Sequence, residues 1–108
     1  MNTTATKIMP QPWNPAHVDA LVAAGLSAAR ARVLLNLASK AAGVDCGAPH
    51  TAAAESAVTA GLVSARSFNH YVGTRVGRNY SLTLAGERLV RNALAPLGNL
   101  SIRYPATY

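Results

Sequence analysis

The stretch YSLTLAGERLV, residues 80–90, leaves the chain few choices. Leu82 and Leu84 alternate with Ser81 and Thr83, which is the two-residue period of a half-buried strand. From Thr83 the period changes. Gly86, Leu89, Val90, Ala93 and Leu94 fall on one side of a helix, and Thr83 is a good N-cap for it. A strand must therefore hand over to a helix at one residue. Gly61, Leu62 and Val63 form the reverse junction, where a helical pattern stops and an extended one begins. The basic stretch between the junctions reads as two strand arms, about 62–72 and 76–83. Gly73 and Gly77 bracket the tip and can take the positive φ of a turn. The frame is helix, antiparallel hairpin, helix.

The rest of the chain supplies helices that can pack on this frame. Asn14 and Pro15 are a good cap and first helical residue, Val18, Leu21 and Val22 recur at helical spacing, and Gly25 is a left-handed stop. A helix over 15–24 follows. Ser27 caps a longer helix from 28 to about 42. Val33, Leu34, Leu37, Ala38 and Ala41 face inward, Arg32, Asn36, Ser39 and Lys40 face outward, and Gly43 ends it. Residues 44–49 read as a loop because Gly47 and Pro49 break any regular pattern. A third helix starts at His50 or Thr51 and ends near Ala60. It turns Ala54, Ala57 and Val58 inward and Ala52, Glu55, Ser56 and Thr59 outward. The last helix spans about 84–95, with Arg88, Arg91 and Asn92 outside and Glu87 set four residues before Arg91 as an ion pair. Pro10, Pro12 and Pro15 make residues 1–13 a flexible arm, which Trp13 packs onto the body. Residues 14–98 form one α+β domain, and 99–108 are a tail that can lie along it as a short extended piece.

A chain of 108 residues can bury a core without metals or disulfides. Cys46 is the only cysteine, so an internal disulfide is impossible and a reducing cytoplasm is the expected setting. The sequence has neither a membrane-length apolar run nor the apolar block of a signal peptide. Ten Lys and Arg against four acidic residues give a formal charge of +6, which favours polyanionic partners, above all nucleic acid. His17, His50, His70 and Cys46 do not fall at short metal-ligand spacing. Asp19, Asp45, Glu55 and Glu87 are scattered, and there is no glycine-rich phosphate loop. These residues point to a non-enzyme without cofactor or metal.

Three segments carry a resemblance. RVLLNLA (32–38), AGLV (60–63) and the pattern Y-x-L-T-x-x-G-x-x-L on Tyr80, Leu82, Thr83, Gly86 and Leu89 are similar to winged helix-turn-helix regulators of the MarR-like kind. The resemblance covers about 26–97. It implies a winged helix, with a helical core, a two-stranded antiparallel wing and a C-terminal helix. It also implies double-stranded DNA binding in transcription control, and a homodimer in which the helices at 15–24 and 84–95 meet their copies.

The chain departs from that family in two places. Residues 39–60 have room for one good helix and a loop, so the helix-turn-helix is shortened. The outward face of the third helix carries Thr51, Ala52, Glu55, Ser56 and Thr59, with no cation to read a base edge. The basic groups gather in the hairpin instead. Arg66, His70, Arg75, Arg78 and Asn79 are the candidate phosphate or minor-groove contacts, with Ser56 and Thr59 as hydroxyl contacts from the third helix. Two alternatives stand beside this. The hairpin is basic only to discourage edge pairing. Or the chain is a protein-interaction module that has lost DNA reading, such as a phage or mobile-element inhibitor of a host machine.

Overall fold

The computed structural model describes residues 7–39, 51–69 and 76–102. Their order is β1 (Lys7–Ile8), α1 (Pro15–Ala23), α2 (Ala28–Ser39), α3 (Thr51–Thr59), β2 (Val63–Asn69), β3 (Val76–Leu82), α4 (Leu84–Leu94), a 3-10 turn (Ala95–Leu97) and β4 (Asn99–Leu100). The chain is α+β, as its two periodicities require. The described residues form four helices, an antiparallel pair β2–β3 and a short parallel pair β1–β4.

Local chemistry explains the boundaries. The Asn14 side chain accepts a hydrogen bond from the Ala16 amide at 2.9 Å, and Pro15 occupies the first turn of α1. Ser27 accepts from the Arg30 amide at 3.2 Å at the start of α2. After α1, Gly25 takes φ +107°, and after α3, Gly61 takes φ +79°. Both values lie in the left-handed region where a side chain is strained. The glycines therefore turn the chain out of each helix, toward α2 and toward β2.

The helices meet around one core. Leu21 of α1, Leu34 and Leu35 of α2, Val63 of β2, and Val90 and Leu94 of α4 are fully enclosed. Ala31, Ala38, Ala54 and Ala57 are also buried. These small side chains let α2 and α3 approach closely, so an alanine-rich sequence still fills its interior. The β2–β3 pair runs from Val63 opposite Leu82 to Asn69 opposite Val76. Its root, marked by buried Val63, Tyr80 and Leu82, belongs to the core.

Three expectations need correction. The segment 7–13 is no free arm. Ile8 pairs with Leu100, its carbonyl accepts from the Ser101 amide at 2.7 Å, and Pro10 is fully buried. Prolines exclude helix here, but they do not prevent docking. Trp13 does not fasten this segment, for it is 74% exposed. The fastening comes from the strand pair and from His17. Gly77 does not bracket the tip; it lies in β3 opposite Phe68. The expected end of the second helix beyond Ser39, the loop at 44–49 and the tip with Gly73 lie outside the described residues.

Candidate nucleic-acid interface

The hairpin is rooted through one threonine. The Thr83 hydroxyl accepts from the Gly86 amide at 3.1 Å, which caps α4, and donates to the Gly61 carbonyl at 2.7 Å. The Thr83 amide donates to the Leu62 carbonyl at 3.2 Å. One residue thus joins the end of α3, the end of β3 and the start of α4. Gly86 permits this closeness: a Cβ there would meet the Leu62 carbonyl oxygen at 2.1 Å. The T-x-x-G part of the sequence pattern is therefore a packing device. Threonine supplies both a donor and an acceptor, and glycine lets a helix lie directly on a backbone carbonyl.

From this root the ladder carries the basic residues outward. Arg66 pairs with Asn79, and Ser67 pairs with Arg78 on the next rung. The register thus places Arg66 and Asn79 on one face of the antiparallel pair and Arg78, one rung away, on the other. His70 and Arg75 lie outside the described residues.

α3 differs from the expected outward-facing reader. Tyr80 is only 4% exposed, and its hydroxyl donates to the Glu55 carboxylate at 2.5 Å. Ser56 is half-buried, and its hydroxyl accepts from the Arg30 guanidinium of α2. Glu55 and Ser56 therefore face neighbouring elements, not solvent as their helical positions suggested. Thr59 is exposed as expected, and its hydroxyl donates to the Glu55 carbonyl one turn back at 3.2 Å. Arg30, in the first turn of α2, thus ties α2 to α3. The Glu55 carboxylate is likewise fixed in place by a hydrogen bond within the fold.

Local periodicity missed the partners of Arg30 and Tyr80, although Tyr80 itself packs in the hairpin root as its place in the motif implies. Each acts across about 25 residues of sequence, as the separations of 26 and 25 for the two bonds show. A tyrosine closing a strand opposite a carboxylate-bearing helix was the available signal for the second.

Elsewhere, His17 is buried, and its Nδ1 accepts from the Gln11 amide at 3.1 Å. Burial lowers its pKa from the ordinary value of 6.5. Neutral His17 thus fastens the segment after β1 onto α1. Among the described residues no three His, Cys, Asp or Glu side chains are grouped to hold a metal ion. Cys46 and His50 lie outside those residues. No described helix is long and apolar enough to cross a membrane. No family model matches the chain, and neither curated proteins nor solved structures yield a match.

Proposed function

We propose that the chain is a small winged-helix protein that binds double-stranded DNA through its hairpin, in the control of transcription. The observation that carries this reading is the β2–β3 register, with Arg66 opposite Asn79 and Arg78 on the adjoining rung, in a chain of net charge +6. Cations on both faces of a two-stranded ribbon suit phosphates, and the asparagine paired with Arg66 adds a directed donor on its face. α3 contributes less. Its Glu55 and Ser56 are engaged by Tyr80 and Arg30, while Thr59 is exposed. Such a protein holds the backbone more than it reads bases. Its binding is steep in salt and modest in sequence preference.

The same feature of α3 supports a second reading, a protein-interaction module without base reading. The two separate in a salt-titrated duplex shift. DNA binding by the hairpin gives a log–log salt slope that loses about one unit for each phosphate-contacting arginine removed, as in Arg66→Ala and Arg78→Ala. Thermal melting of each variant checks that the fold survives. A parent chain that binds no duplex at low salt removes the DNA reading and leaves the second.

A further inference from the structure

α1 and α4 pack together, and beside their contact lies an open groove of about 540 Å³. Ala24, Ala85, Leu89 and Ala93 give it apolar walls, and Arg88 and Asn92 are its polar lining. Nothing in the hairpin reading uses this surface, and no residue of β2 or β3 lines it. We propose that the groove is a docking site for an acidic amphipathic helix of a partner protein.

Charge selects the acidic character. Arg88 is exposed, and it has no hydrogen bond or ion pair among the described residues. The adjacent carboxylate does not compensate it, because Glu87 is buried and bound to Arg91 at 3.2 Å. No carboxylate lines the groove. A guanidinium beside an apolar wall suits a carboxylate that it can hold with two parallel hydrogen bonds.

Shape selects the helix. The α4 residues of the lining, from Ala85 to Ala93, recur at helical spacing along about 12 Å of α4 axis. That length matches two turns of a partner helix anchored at i, i+4 and i+7. The alanines allow close approach of a second backbone. A small ligand would be poorly covered in so open a groove, since such ligands bury most of their surface.

The same charge disfavours a second copy. A two-fold contact through this groove would oppose it to itself, and each copy would bring Arg88 and no carboxylate from the lining. DNA is disfavoured too, because apolar walls offer nothing to phosphate.

The test uses the full chain as bait for a displayed library of short helical peptides. The expected binders carry aliphatic residues at i, i+4 and i+7 with Asp or Glu beside them. Their affinity falls by about tenfold or more on Arg88→Glu. It returns when the peptide acids are changed to Lys. Arg88 is exposed, so the variant keeps the parent's melting temperature, which a thermal scan verifies. Enrichment of basic or uncharged peptides overturns the proposal, as does a selection with no binder that distinguishes parent from Arg88→Glu. A dimer seen by light scattering and dissociated by Leu89→Glu also overturns it, because the groove is then the chain's own interface.

Discussion

Replacing Gly86 with alanine tests whether one backbone contact holds the hairpin root together. The added Cβ would lie 2.1 Å from the Leu62 carbonyl oxygen and 3.0 Å from its carbon. That oxygen distance is about 0.9 Å inside the 3.0 Å that real side-chain carbons respect. The obstacle is backbone, so no rotamer change relieves it. Either α4 or the turn at 61–62 must move, and the Thr83 bonds to Gly61 and Leu62 span that gap. Overpacking costs about 1–3 kcal/mol. Weakening two hydrogen bonds adds about 1–2 kcal/mol, and the better helix propensity of alanine returns about 1 kcal/mol. The net loss is about 3 kcal/mol. With about 2.1 cal/mol/K of unfolding entropy per residue, 108 residues give about 4 °C per kcal/mol, so Tm falls by about 12 °C. Calorimetry on the parent and Gly86→Ala measures this. Gly25→Ala is the comparison, since its Cβ meets nothing within 4 Å and only its φ of +107° is unfavourable. It costs about 1–2 kcal/mol, and asparagine should recover part of that. A Gly86→Ala protein that melts at or above the parent would refute the account of the root.

Three further outcomes follow from the same geometry. Tyr80→Phe lowers stability by about 1–2 kcal/mol, and a double-mutant cycle with Glu55→Ala is non-additive; additive single effects would mean that the hydrogen bond contributes nothing. Burial depresses the His17 pKa in the folded state, so the unfolded chain binds the extra proton more readily. Stability is therefore complete above about pH 6.5, falls as pH drops below it, and levels off below the folded pKa. Denaturant midpoints across this range should lose part of their slope in His17→Gln, and an unchanged profile would contradict the assignment. Arg91→Ala removes the bonds to Glu87 and to the Leu100 carbonyl, both near 3.1–3.2 Å, and costs about 1–2 kcal/mol. Hydrogen exchange at Ser101 accelerates in that variant if the bond holds β4 against α4.

The parts of the fold that were legible in the sequence are those decided within a few residues. Asn14 with Pro15, Ser27, and Thr83 with Gly86 mark helix starts through hydrogen bonds that span two or three residues. Gly25 and Gly61 mark stops through their own φ. The hairpin arms followed from alternation at Leu82, although Leu84, counted with it, starts α4. What failed was set by distant partners. A helical wheel gives α3 one inner face, but α3 sits between α2 and the hairpin, so Arg30 and Tyr80 claim two positions that a single-sided helix would expose. The docking of 7–13 depends on β4, at the other end of the chain, and its prolines gave only a local signal. Trp13 shows the limit of hydrophobicity as a guide, since the side chain assigned to hold the segment is exposed while Pro10 is enclosed.

The parallel pairing of β1 with β4 has a consequence for the order in which the protein is made. Ile8 finds its partner at Leu100, 92 positions later by their numbering. At a translation rate of about 5–20 residues per second, that partner is added roughly 5–18 s after Ile8. α1, α2 and α3 can begin to associate in the interval, while the first segment has nothing to pair with. It is protected from wrong pairing by its own brevity, because a two-residue strand followed by Pro10 and Pro12 is a poor template for another chain. Of the two paired strands β1 is synthesised first, so β1–β4 can form only when synthesis has passed Leu100.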